Sequence, residues 1–299
     1  MRSHNRLKAG FTLIELLVVI SIVALLMGIL MPVLGRAREA ARSTICMGNV
    51  RRISMAAHIY VIEGDDAFPP FRMMKLIPSP DAPNFVNKYG RVQPRWQWFF
   101  DYGIGPVIDP RPYLEIIKNK GYFDDSDTLI MTNDYFMCPS FNHPGFDKRD
   151  IRNGSYGYNY QYLGNGRIRD GRFENFPVYQ TKITRPSETI IIADSRGARG
   201  ETGPPDISHG LHSYTLDPPR LARSAGAVNF AWHSWPEHWM QHSPAEARHS
   251  GKANVSFVDG HAEHVSLKDL GYVLDSDGKT IADHPDGCNC LWSGTGRKE

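Results

Sequence analysis

Two shortages in this 299-residue chain narrow the field first. Thirty-four Lys and Arg against 32 Asp and Glu leave only +2, too even a balance for a protein that works by neutralising phosphates. Nucleic acid is therefore not an expected partner. No G-x-S-x-G elbow, H-E-x-x-H pair or phosphate-binding glycine loop occurs, so the common hydrolase and nucleotide motifs are missing. Cysteine is scarce too, at 4 residues. With 41% hydrophobic and 22% charged residues the composition is otherwise that of a folded chain.

What charge there is divides unevenly. Residues 1–62 carry eight basic side chains and two acids, Glu15 and Glu39, whereas the remainder holds 26 bases and 30 acids. The basic part contains the one long apolar run, residues 11–34 (FTLIELLVVISIVALLMGILMPVL), with Glu15 as its single ionisable group. At ~1.5 Å per residue a helix of that length crosses a ~30 Å hydrocarbon layer. It is also longer than the ~7–15 apolar residues of a secretory signal peptide. The leader MRSHNRLKAG has three permanent positive charges and no acid, so the positive-inside rule keeps it in the cytoplasm and exports the C-terminal head. The expected location is a single-pass inner-membrane protein with that head outside.

A carboxylate within an apolar span is penalised by ~2.5–3.5 kcal/mol at its centre. Glu15 therefore needs the interface or a counter-charge. Thr12-Leu13-Ile14-Glu15 fits an S/T-x-x-E capping box. Gly10 adds a second reading, because Lys8-Ala9-Gly10-Phe11-Thr12-Leu13-Ile14-Glu15-Leu16 closely resembles the processing site of type IV prepilins and type II secretion pseudopilins. The resemblance implies cleavage by prepilin peptidase between Gly10 and Phe11 and N-methylation of Phe11. Glu15 would become the fifth mature residue, paired with the newly exposed amine. It also implies that Pro32, which should kink the helix, matches a proline common in pilins. The partners implied are other pilin-like subunits, joined through the N-terminal helix.

Beyond Pro32 a helical pattern continues to Gly64. Cys46, Val50, Ile53, Ala57 and Tyr60 form a stripe, with Arg42, Asn49 and Arg52 elsewhere. A helix over 11–61 is predicted, its first half in lipid and its second packed on the protein's own head. The expected organisation is a leader (1–10), a transmembrane half (11–34), a packed half (35–62) and an exported head (63–299). The fold class is α+β: a long N-terminal helix against an antiparallel sheet with long loops, pilin-like in architecture.

Within the head, 109–121 reads as a short helix, and strands are expected at 135–137, 156–162, 189–193, 253–258 and 261–265. Asp259-Gly260 between two alternating runs signals a type I′ hairpin. Nine residues separate His249 from Asp259, and the segment resembles the C-terminal H-x9-D-G motif, completed here by Gly260, of pilin-like proteins that share the N-terminal signal. FMCPS at 136–140, RPSETIIIADS at 185–195, Cys46 and Asn49 also resemble that family. His249 and Asp259 cannot share an ion, since six extended residues between them span nearly ~20 Å. Asp259 is read as turn chemistry, and Asp194 as the structural partner of His249 if 189–193 lies beside 253–258.

Eight of the 12 histidines fall between His209 and His264. His238 and His242 would share a helix face, but without the H-E-x-x-H order, and the Trp-rich loop around them is read as packed by its own rings. No cofactor is expected. Asp275 and Asp277 offer two carboxylates toward Ca²⁺ but lack the other positions of an EF-hand loop, and a plain turn is favoured. Four cysteines in an exported head allow three disulfide connectivities. Cys46 with Cys138 is the first choice, leaving Cys288 and Cys290 as a local bridge or a reactive pair. The expected function is a non-enzymatic, pilin-like structural subunit. The alternative is a membrane-tethered glycan-binding module or enzyme on a pilin-type anchor.

Overall fold

The structure is a computed structural model, and it describes residues 13–63, 66–69, 96–100, 111, 115, 118–119, 129–143, 146–164, 166–169, 172–175, 178–197, 215–220, 243–281 and 284–296. Helix α1, Leu13–Glu63, runs 51 residues with Pro32 inside it and Glu15 in its first turn. The chain divides into two units, 1–41 and 42–299.

In the first unit the large apolar side chains from Leu13 to Leu34 all face outward. None of the most apolar window is buried within the protein, and the helix is long and apolar enough to cross a membrane. The Ser21 hydroxyl donates to the Leu17 carbonyl at 2.7 Å, the usual way a hydroxyl is satisfied within an apolar helix.

The second unit begins with the remainder of α1, where the composition changes and so does the environment. Cys46, Val50, Ile53 and Ala57 are buried, and Tyr60 meets Phe99 edge to face at 5.5 Å. The buried face is wider than the sequence stripe. Asn49 also faces inward, its amide donating to the Met137 carbonyl at 3.2 Å. Arg52 stays outside with its guanidinium 4.4 Å above the Tyr135 ring.

This half of α1 packs with a four-stranded antiparallel sheet made of β1 (Tyr156–Tyr158), β4 (Ile190–Asp194), β5 (Ala253–Phe257) and β6 (Ala262–Val265). Their order is β1-β4-β5-β6. A separate hairpin pairs β2 (Gly166–Arg169) with β3 (Arg172–Asn175). Every residue of β4 and β5 is buried, because the sheet is covered on both faces. Ile191, Ile192, Tyr156 and Tyr158 join the core that contains the helix stripe. Ile190, Ala193, Val255 and Phe257 pack with Leu270, Tyr272 and Trp292 on the other side. Burying each such large apolar side chain contributes ~1.5–3 kcal/mol.

Three local expectations are corrected. Residues 135–137 are no strand: Asp134–Phe136 form a 3₁₀ turn, because the Asn133 side chain accepts the Tyr135 N–H and caps it. The strand expected to reach 162 stops at Tyr158, where the Asn159 amide turns inward to the carbonyls of Ile190 and Trp292. The Asp259-Gly260 turn is not type I′ either. Gly260 has φ +92° while Asp259 is not left-handed, and Gly260 N–H bonds Phe257 C=O while Phe257 N–H bonds His261 C=O. That pattern is a type I turn closed by a left-handed glycine. The expected helix at 109–121 lies outside the described residues except for Arg111, Glu115, Lys118 and Asn119.

Gly260 is required by its positive φ. A Cβ there would touch the His58 ring on α1 at 3.4 Å, close to ordinary contact, so the cost of a side chain comes from the backbone. Gly260→Ala is expected to lower the stability of the head by about 1–2 kcal/mol, read as the shift of the urea midpoint of the full chain in detergent.

Candidate functional site

Four separate pieces of chain bring their polar side chains to one buried point. Alternation along β4 puts Ile192 and Asp194 on the same face, and that face looks toward α1. Asp194 accordingly meets Cys46, whose thiol donates to its Oδ1 at 3.2 Å. Cys138 follows the capped 3₁₀ turn and lies with its Sγ 3.0 Å from that of Cys46. His249 enters from the segment before β5. Its N–H and C=O both bond Lys252, and the two residues between, Ser250 and Gly251, are left-handed at φ +52° and +79°. The two-residue left-handed turn that the sequence suggested for Asp259-Gly260 is therefore found here. It fixes His249 just before β5.

The cluster closes on itself. His249 Nε2 is 3.4 Å from Cys138 Sγ and 3.6 Å from Asp194 Oδ2, and Tyr156 Oη is 3.1 Å from Cys46 Sγ. Asp194 Oδ2 also accepts the Asn254 N–H at 2.7 Å, a bond made across the β4–β5 pair. Cys46, Cys138 and Asp194 are wholly buried and His249 is 2% exposed. Arg248 backs the site, its Nε 4.0 Å from Asp194 Oδ1, its Nη2 2.7 Å from Glu246 and also donating to the Ser195 carbonyl.

Electrostatics follow from burial against these neighbours. Burial pushes the Asp194 carboxyl up to about 6, opposed by Arg248. Burial also raises the Cys46 thiol far above its ordinary range. Cys138 is moved the other way, by the hydrogen bond from Cys46 and by the proximity of His249 and Arg248. For His249, desolvation is outweighed by Cys138 and Asp194, and its value rises.

Of the residues singled out from the sequence, the structure thus joins Cys46, Cys138, Asp194 and His249. Cys46 and Cys138 are free thiols, whereas Cys288 and Cys290 are bonded to each other. Asp259 is elsewhere, partly exposed at its turn and accepting from the His261 backbone and ring. Asp275 Oδ1 accepts the N–H groups of Asp277 and Lys279, each at 2.9 Å, so it closes a turn. Glu15 and Pro32 lie in the first unit. Gly10, Phe11, His238 and His242 lie outside the described residues. Arg248, Glu246 and Tyr156 were not foreseen as parts of the site. Arg248 adjoins His249 in the chain, but a lone arginine in a polar segment carries no sign that it will be buried.

Chemically the cluster is a closed set of donors. Cys46, Cys138, Asp194 and His249 offer one ligand atom each, all within 4.8 Å of one another, and the donor set suits a tetrahedral cation such as Zn²⁺.

Two family models match the chain. One, the prokaryotic N-terminal methylation motif, covers residues 5–31, which include Gly10, Phe11 and Glu15. The other covers residues 35–215 and so takes in Cys46, Cys138 and Asp194 but stops short of His249. No curated protein and no solved structure is significantly similar. The matched motif, the apolar α1 and the α+β head make this a pilin-like protein whose apolar N-terminal helix fits a membrane anchor. By the match over more than half of its length, the chain belongs to the family described as protein of unknown function (DUF1559).

Proposed function

We propose that this protein is a structural subunit of a type IV pilus-like or type II secretion-like filament, made as a precursor, cut after Gly10 by prepilin peptidase and methylated at Phe11. The observation that carries this reading is the outward-facing apolar surface of α1 from Leu13 to Leu34, most of it within the methylation motif matched at 5–31. In lipid that surface is solvated. Copies leaving lipid together keep it covered only by packing on one another, at ~25 cal/mol per Å² of apolar area removed from water. Glu15 supports the reading, since a carboxylate at the start of that surface gains a counter-charge once cleavage exposes an amine at Phe11. The match to a methylation motif supports a structural role over an enzymatic one.

The expected mature chain, isolated from membranes, begins at methylated Phe11 by N-terminal sequencing and intact mass. Glu15→Ala should then be processed and folded but fail to cross-link into higher-order species. A native chain that still begins at Met1 overturns the proposal.

A further inference from the structure

We propose that Cys46, Cys138, Asp194 and His249 form a structural zinc site that ties α1 to the sheet. Geometry is the first ground. A tetrahedral zinc with bonds of ~2.0–2.3 Å holds its ligand atoms ~3.3–3.8 Å apart. Here the sulfurs are 3.0 Å apart, Cys46 Sγ is 3.2 Å from Asp194 Oδ1, Cys138 Sγ is 3.4 Å from His249 Nε2 and His249 Nε2 is 3.6 Å from Asp194 Oδ2, and with one ligand atom from each residue every pair lies within 4.8 Å. Opening the shortest pairs by a few tenths of an ångström and drawing the widest together by up to about 1 Å, within the reach of side-chain rotation, gives a tetrahedral set. All four ligands are buried, which marks a closed structural site with no position left for a substrate.

Charge is the second ground. Zinc takes cysteine as thiolate, aspartate as carboxylate and histidine as neutral imidazole. The resulting centre, with two thiolates, one carboxylate and neutral imidazole, carries one negative charge. Arg248, its side chain 5% exposed and 4.0 Å from Asp194, supplies the compensating positive charge in the outer shell, as such partners do for metal ligands.

The third ground is what a bond between the two sulfurs would leave behind. A disulfide would use Cys46 and Cys138 and need an oxidant, and it would leave Asp194 and His249 as a separate pair. Zinc uses all four. It would join α1, the segment after the 3₁₀ turn, the end of β4 and the turn before β5. The site does not depend on filament assembly.

The test uses the full chain in detergent. Purified without added reductant, it should contain about one zinc per chain by elemental analysis. After reduction and chelation, Co²⁺ titration should develop thiolate-to-cobalt charge-transfer absorption and the strong visible bands of tetrahedral cobalt. Saturation is expected at one equivalent, and Zn²⁺ should bleach the spectrum. Cys138→Ser should weaken binding at least about tenfold, and the double variant Cys288→Ser/Cys290→Ser should bind as the parent does. The wild-type titration decides the matter even if Cys138→Ser does not fold. A folded, reduced chain without a cobalt spectrum overturns the proposal. So does cobalt bound without thiolate absorption, a thiolate band lost in the Cys288/Cys290 variant, or a native chain with Cys46 bonded to Cys138 and no zinc.

Discussion

Asp194→Ala is expected to destabilise the head by about 3–5 kcal/mol, the scale of breaking a buried pair from one side. The carboxylate accepts from the Asn254 backbone and the Cys46 thiol and faces His249 and Arg248. Alanine removes the acceptor that these groups share in a buried site, although Cys46 keeps Cys138 and Tyr156 and His249 keeps Cys138. Arg248 keeps Glu246 at 2.7 Å, which holds the loss below that of a bare buried guanidinium. His249→Ala should cost a similar amount, since it removes the other half of the same contact. Asp194→Asn, which keeps the shape and one acceptor oxygen, should fall between the parent and alanine. Urea midpoints of the full chain in detergent, followed by near-UV circular dichroism, would measure all three. An Asp194→Ala midpoint equal to the parent's would show that the cluster is not a stabilising centre.

Trp292→Ala should cost a comparable amount, about 3–5 kcal/mol, from the opposite face of the sheet. The ring is fully buried and meets Tyr272 edge to face at 5.8 Å, and its N–H donates to the Leu270 carbonyl at 2.9 Å. Its own carbonyl receives the Asn159 amide, so the residue also fixes the point where β1 ends. Trp292→Phe should recover most of the loss, because it refills the cavity and forfeits mainly the indole hydrogen bond. The same midpoint measurement decides, and an alanine variant within about 1 kcal/mol of the parent would mean that the C-terminal segment is not part of the folding core.

Some of the sheet was visible in the chain. Thr189-Ile190-Ile191-Ile192-Ala193 is β-branched enough to mark β4, and the alternating run at 253–258 marks β5. Their antiparallel pairing brings Asp194 beside the β5 segment, where a partner for His249 is expected. The β2–β3 hairpin went unforeseen although Asp170-Gly171 lies between its strands in the sequence, because Gly166–Arg169 and Arg172–Asn175 are mostly polar and show no apolar alternation. The Asp-Gly dipeptide alone was the available signal. At 135–137 and at 159 a single asparagine ended or replaced a strand, since its side chain competes for backbone groups that a propensity argument assigns to the ladder. Asn49 was misplaced for a related reason. A helical stripe counts apolar residues, and a buried amide with a carbonyl to reach is invisible to that count.

From residue order alone came the long apolar helix, the methylation-type motif and the α+β class, because each depends on contiguous residues: an unbroken apolar run, a short motif around Gly10, and alternation within single strands. The convergence of Cys46, Cys138, Asp194, His249 and Arg248 was settled by tertiary structure. These residues are up to 203 positions apart, and their burial, protonation and distances arise only when helix, turn and paired strands close around them and exclude water.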